Sequence, residues 1–293
     1  MQSGEDVLRD LEHIKIPDTE LSKARQSYRR SNLRRTGRDC FAHLKVARND
    51  INGIIEIPKS LRADETLDQI ASCGLKIIQK KGGYRYNLDA LQLADFCLKR
   101  EIKSSRAVEL GAGNGIISLL LAASPQVSSV IGLELQPDLV ELAQRNILLN
   151  KLEHKLEIRQ GDWRQIRQTL KGEKFDLVIA NPPYWQSTSG RVNPDLVKAH
   201  SRHEITGGLE ELISACRYLV EPAKGSVNLI YPVVRLVEMI DLLEGHNLQP
   251  KQIQFIHHDL KSAASLFTLS ASLNGQRGVA VLPPVFVRLE QGL

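Results

Sequence analysis

Phe175-Asp176-Leu177-Val178-Ile179-Ala180-Asn181-Pro182-Pro183-Tyr184 is the stretch whose reading decides the fold. A short apolar run stops abruptly at two prolines. It is too short for a helix that ends so sharply, and it reads as a buried parallel strand. Pro182 has no backbone N–H to donate, and Pro183 pushes Pro182 out of the α region into an extended shape. The Asn181 side chain and the Pro182 carbonyl are thereby held beyond the carboxyl end of the strand, where open α/β sheets bind ligands. Taken alone, Asn-Pro-Pro is also an ordinary turn signal.

Working outward, strand and helix patterns alternate on both sides of this stretch. Upstream, strands are expected over 107–110, 129–134 and 156–160, with helices over 114–123 and 137–150 between them. Downstream come a helix over 209–220, a strand over 227–231, a helix over 233–243 and two β-rich runs at 253–257 and 266–272. Such alternation predicts an α/β protein with a parallel sheet and helices on both faces. Before it, residues 75–79 and 84–86 flank Lys80-Lys81-Gly82-Gly83 and predict a hairpin with a Gly-Gly turn, followed by a helix that Asn87 caps.

The first 65 residues have another texture. Acidic residues dominate the opening positions. Then Lys23, Arg25, Arg29, Arg30, Arg34, Arg35, Arg38, Lys45 and Arg48 follow with only Asp39 to oppose them. This is either a solvated arm or a nucleic-acid arm, and the net charge of +5 permits a polyanionic partner. Two parts follow, a basic extension over 1–65 and an α/β domain over 66–293. With 42% hydrophobic and 25% charged residues the chain can bury a normal core. No apolar run approaches the length of a membrane span, and the opening residues lack a signal-peptide core. Cys40, Cys73, Cys97 and Cys216 are scattered, without metal or disulfide spacing. These features point to a cytoplasmic protein. His200, His203 and Glu204 match no zinc-helix motif, so no metal is expected.

Ligand chemistry concentrates at the strand ends. Glu109-Leu110-Gly111-Ala112-Gly113-Asn114-Gly115 lies between the first expected strand of the sheet and its helix. Glycines there let the backbone approach a ligand and tolerate positive φ. The spacing Gly-x-Gly-x-Gly falls one residue short of the dinucleotide fingerprint, which weakens an NAD reading. Glu134 closes the next strand, where an acid can accept ribose hydroxyls. Asp162 follows the third strand and can accept from an adenine amino group, with Trp163 beside the ring. Each acid singly reads as a solvated loop carboxylate; together, on successive strand ends, they form a site.

Taken together, the loop at 109–115, Glu134, Asp162 and Asn181-Pro182-Pro183-Tyr184 resemble the motifs of class I S-adenosylmethionine-dependent methyltransferases that modify amino nitrogens. The resemblance spans about 66–293. It implies a Rossmann-like, seven-stranded, mostly parallel sheet whose last strand runs antiparallel, and S-adenosyl-L-methionine as cofactor. It also implies that Glu109, Gly111, Ala112, Gly113, Gly115, Glu134, Asp162, Trp163 and Asn181 line the cofactor. Asn181, Pro182 and Tyr184 would hold the methyl acceptor. A narrower similarity joins residues 75–91 and Ala199-His200-Ser201-Arg202-His203-Glu204-Ile205 to bacterial tRNA1(Val) adenine-N6-methyltransferases, from which the long N-terminal extension departs. That similarity implies an RNA partner; by charge and position, Arg29, Arg30, Arg34 and Arg35 of the extension and Arg191 and Lys198 in the segment after Tyr184 are candidate substrate contacts. Competing targets are adenine in rRNA or DNA and a release-factor glutamine. A catalytically silent RNA-binding relative is a further alternative, which the intact glycines, Asn181 and Tyr184 disfavour.

Overall fold

The computed structural model describes residues 61–70, 73–82, 85–99, 105–182 and 208–287. Tyr184, Arg191, Lys198 and the basic arm with Arg29, Arg30, Arg34 and Arg35 lie outside the described residues. Among the described residues, strands β1 (Glu65–Gln69) and β2 (Lys76–Lys80) form an antiparallel pair, and an eight-stranded sheet follows. Its members are β3 (Ser105–Leu110), β4 (Val127–Glu134), β5 (Leu156–Gln160), β6 (Leu177–Ala180), β7 (Ser226–Pro232), β8 (Leu248–His257), β9 (Ala264–Leu273) and β10 (Ala280–Phe286). The spatial order is β10-β8-β9-β7-β6-β3-β4-β5. Strands β3 to β7 are parallel, and β9 runs antiparallel between β7 and β8.

Helices α1 (Leu88–Leu98), α2 (Ile116–Ala123), α3 (Pro137–Leu149), α4 (Ile166–Thr169), α5 (Leu209–Leu219) and α6 (Leu236–Gly245) connect the strands. All of β6 is buried, as a strand sandwiched between helical layers must be. Val108, Leu110, Val178, Ala180, Val227 and Leu229 share one cluster with Leu212, Ile213, Cys216 and Leu219 of α5 and Met239 and Leu243 of α6. Strand alternation turns Ala107, Glu109, Leu177 and Ile179 to the opposite face, where they are buried too. The resulting fold is the Rossmann-like sheet of the expectation, with its seventh strand, β9, antiparallel.

Three details differ from the sequence reading. First, β2 pairs with the upstream β1, register Glu65↔Lys80 to Gln69↔Lys76, and residues 85–87 form no strand. The tight turn belongs to Gly74, at φ 72°, whose N–H donates to Ile70. Residues 85–87 instead lead into α1, where Asn87 caps through its side chain to Ala90 as expected. Second, α2 begins at Ile116 and not at Asn114, because Gly115 at φ 85° breaks helical geometry just before it. Third, β10 adds an eighth strand at the sheet edge, parallel to β8. Its Pro283-Pro284 pair argues against a strand on sequence alone. The register shift between Leu282 and Val285 takes up both prolines, and an edge position has no neighbour on one side to need their N–H groups.

Candidate cofactor and substrate site

Strand register brings the candidate residues into one row. Leu110 pairs with Leu133 on one side and with Ala180 on the other. The next residues, Gly111, Glu134 and Asn181, therefore stand level at the carboxyl ends of β3, β4 and β6. With parallel strands spaced about 4.8 Å, the row spans about 10 Å from Glu134 to Asn181. Gln160 pairs with Glu134, so Gly161 and Asp162 carry the row onward past β5.

The glycine loop is held by strand ends and not by its own helix. Gly111 and Ala112 donate to the Leu133 carbonyl at 2.8 and 3.0 Å, Gly113 to Glu134 Oε2 at 2.8 Å, and Gly115 to the Ala112 carbonyl at 2.8 Å. Gly111, Gly113 and Gly115 sit at φ 78°, 57° and 85°. A Cβ on Gly111 would lie 3.2 Å from Trp163 Cζ3, so the indole seats directly against the loop. Trp163 Nε1 is a buried donor without a protein partner.

The acids have separate duties. Glu134, 6% exposed, accepts from Gly113 and also from the Gln136 N–H at 2.9 Å, so it ties the loop to the end of β4. Burial pushes its carboxyl above the ordinary value, against the pull of these backbone bonds. Glu109 is buried beneath the loop, and its Oε2 accepts from both Ser118 N and Ser118 Oγ. It therefore anchors the first turn of α2. Burial pushes its pKa up to about 8, the Ser118 bonds pull it down, and Glu134 nearby adds a small upward push. Asp162 caps the 3-10 turn over Trp163–Gln165 by accepting from Arg164 N, and its other oxygen pairs with the Arg164 guanidinium. Burial raises the Asp162 carboxyl, but the Arg164 bonds outweigh it and leave the pKa below the ordinary value. Asn181 is half-buried and Pro182 buried at the end of β6.

Sequence reasoning missed a set of amides beside the loop. Asn146 of α3 and Asn150, its C-cap, dock the free edge of β2. Asn146 takes the Ile78 N–H and returns a bond to the Ile78 carbonyl, and Asn150 does the same with Lys76. The signal was available: Asn146 occupies a place in the buried stripe Leu139, Leu142, Ala143, Ile147. A second missed contact is the ion pair between Arg145 and Glu65, bonded through both carboxylate oxygens, which fastens the start of β1 to the same helix.

Comparison with known proteins fits this geometry. Residues 91–213 match the family model described as the methyltransferase small domain. The chain is 31% identical over 134 residues to a tRNA1(Val) (adenine(37)-N6)-methyltransferase of Porphyromonas gingivalis, covering 45% of this chain and 51% of that protein. A Shewanella frigidimarina protein of the same name is 29% identical over 166 residues, 55% of this chain and 65% of its own length. An Aliivibrio fischeri release factor glutamine methyltransferase is 34% identical over 97 residues, 33% of each chain. The match thus spans about half to two thirds of the curated tRNA relatives. Among solved structures, a predicted O-methyltransferase of Agrobacterium tumefaciens superposes with TM-score 0.54 at 21% identity, over 70% of this chain and 89% of that one. The M. jannaschii tRNA m1G37 methyltransferase follows at 0.52 and 19%, over 73% and 58%. Residues 91–213 thus match a methyltransferase family model, and the chain has the fold of these methyltransferase structures.

S-adenosylmethionine is the cofactor of this domain class, and the residues present fit it. A dinucleotide would need free loop N–H groups to cradle its phosphates. In this domain the N–H groups of Gly111, Ala112, Gly113 and Gly115 are already spent within the protein. What the loop rim offers instead are acceptors for hydroxyl and amino groups, Glu134 and Asp162, which suit a phosphate-free adenosyl ligand. Among the described residues no helix is long and apolar enough to cross a membrane, and no cluster of His, Cys, Asp and Glu has a metal-holding arrangement.

Proposed function

We propose that this methyltransferase domain N6-methylates an adenine in RNA, with a tRNA anticodon loop as its substrate. The observation that carries the proposal is the level row of Glu134, Gly111 and Asn181, which sets an amide and a proline carbonyl one strand away from the cofactor loop. The names of the tRNA relatives support the choice of target. Bound S-adenosylmethionine supplies an electrophilic methyl group. The protein's task is to present a poor nucleophile, since the adenine amine lone pair is delocalised into the ring. Asn181 Oδ1 and the Pro182 carbonyl accept the two amine hydrogens and favour a localised nitrogen lone pair. Tyr184 stacks on the base and holds it in line. Orientation of this kind is worth about 7–11 kcal/mol in well-aligned systems. No strong general base is needed, because the proton can leave after transfer. An adenine buried in a duplex cannot reach such a pocket, which favours a looped or single-stranded substrate.

In this reading residues 1–65 are a basic RNA-binding extension, and Arg29, Arg30, Arg34, Arg35, Arg191 and Lys198 contact phosphates. Removing residues 1–60 then weakens tRNA binding and flattens its salt dependence while sparing the choice of nucleotide. The primary test is mass spectrometry of tRNA nucleosides after incubation with labelled cofactor. N6-methyladenosine is expected, at wild-type turnover only while Asn181 is intact. Asn181→Ala should lose turnover and keep its affinity for S-adenosylhomocysteine within a few-fold. Label appearing on a release-factor glutamine, with none on RNA, would overturn the assignment.

A further inference from the structure

Asn114 sits between Gly113 and Gly115, two residues at positive φ, and it is fully buried. Its contacts come from neither β3 nor α2. The side-chain Nδ2 donates to Gln79 Oε1 of β2 at 3.3 Å, and the backbone carbonyl accepts from Asn146 Nδ2 of α3 at 3.0 Å. Both partners are themselves fixed. Gln79, 1% exposed, accepts from the Tyr86 N–H and donates to Asp68, which also pairs with Arg85. Asn146 holds both the N–H and the carbonyl of Ile78. The β1–β2 hairpin and α3 thus grip the middle of the glycine loop from two directions. One polar atom is left over: Asn114 Oδ1 is buried with no protein donor. Gln79 fixes the amide so that this oxygen is the end not engaged, and a buried acceptor without a donor is costly unless a ligand supplies one.

We infer that Gln79 and Asn146 are positioning residues for cofactor binding. They act through Asn114, setting the glycine loop and presenting Asn114 Oδ1 to a donor on the amino-acid end of S-adenosylmethionine, its ammonium group. The hairpin is then a working part of the cofactor site. The inference rests on the reading that this loop holds the cofactor, and wild-type binding of S-adenosylhomocysteine tests that reading first and separately.

The test compares variants that loosen the hairpin with and without touching Asn114. Gln79→Met, Asn114→Ala and their double variant are titrated with S-adenosylhomocysteine by calorimetry, and each is melted. Asn146→Asp, which keeps the acceptor for the Ile78 N–H and loses the donors to the Ile78 and Asn114 carbonyls, serves as a second probe should Gln79→Met fold poorly. Asn150→Ala is the control, since Asn150 docks the same hairpin through Lys76 with no contact to the loop. Gln79→Met and Asn114→Ala should each weaken S-adenosylhomocysteine binding by roughly tenfold, the worth of one or two hydrogen bonds, and Asn146→Asp should weaken it in the same direction. The double variant should be no weaker than the worse single one, because the two residues act as a unit. Methylthioadenosine, which lacks the amino-acid end, should bind all of them within a few-fold of wild type. Asn150→Ala should lower the melting temperature and leave affinity unchanged. Asn150→Ala weakening affinity as much as Gln79→Met, or equal losses for both ligands, would overturn the inference and make the clamp purely structural.

Discussion

The glycine loop is approached from two sides with different chemistry. On the side of the sheet the contacts are carboxylates: Glu134 on Gly113, Glu109 on Ser118, Asp162 on the turn that carries Trp163. On the hairpin side the groups that meet at the loop are amides: Gln79 and Asn146, both bonded to Asn114. Carboxylates can titrate, can accept ligand hydroxyls and suffer from burial. Amides carry no charge, donate and accept at once, and can pair with backbone as another strand would. The acid side is therefore suited to recognising ligand hydroxyls, and the amide side to holding the loop still, with Asn114 Oδ1 the one amide atom left for a ligand.

The comparison breaks most visibly at Glu134. Glu134→Ala removes the acceptor at the end of β4 and frees the Gly113 and Gln136 N–H groups. Two lost hydrogen bonds from ligand hydroxyls to a carboxylate are worth at least ~3 kcal/mol, so S-adenosylhomocysteine affinity should fall about a hundredfold or more. Calorimetry showing less than a tenfold loss would mean that the acid only braces the loop, and the two sides would not differ in role. On the other side, Arg145→Ala should act on stability. Glu65 keeps only 1% of its side chain exposed and Arg145 15%, so the variant strands a buried carboxylate. The expected cost is about 3 kcal/mol in urea unfolding. A cost under ~1 kcal/mol would show that the hairpin is docked without help from this ion pair.

How much of this was legible follows the same division. Strand ends can be read from a sequence, because a buried strand is an apolar run and whatever stops it is adjacent in the chain. That is why Gly111, Glu134, Asp162 and Asn181 could be placed at strand ends and a parallel sheet foreseen, whereas the antiparallel β9 followed only from the family resemblance. The hairpin side depends on residues far apart in sequence: Gln79 to Asn114, Ile78 to Asn146, Glu65 to Arg145. No local pattern announces such pairs. Gly82-Gly83 drew the turn to the wrong place, because two adjacent glycines look like a hairpin turn whichever strand β2 pairs with. The β10 strand was hidden by Pro283-Pro284, whose exclusion from sheets fails at a bulged edge. Glu109 was legible as part of the motif. That it faces Ser118, beneath the loop, depends on which side of β3 it takes, and burial on both faces erases that signal.

The last prediction concerns that residue, and it sharpens the contrast through pH. In the unfolded chain Glu109 titrates near 4.5, and in the folded chain burial pushes it up to about 8. Between those values the folded protein keeps a proton that the unfolded chain has lost. Stability from this group is therefore fully present below pH 4.5 and drains away as pH rises towards 8. Glu109→Gln keeps an uncharged side chain with an acceptor for Ser118 N and removes the titration. Its melting temperature relative to wild type should climb steadily from pH 5 to pH 8 and level off above. At about 1.4 kcal/mol for each pH unit between the two values, the gain at the upper end should approach about 4 kcal/mol. Asn150→Ala, on the amide side, has nothing to titrate and should run parallel to wild type across the same range. Scanning calorimetry of the three proteins decides it. Parallel profiles for Glu109→Gln and wild type would mean that the Ser118 bonds already hold the carboxylate charged, and that the acid side pays no pH-dependent cost for its burial.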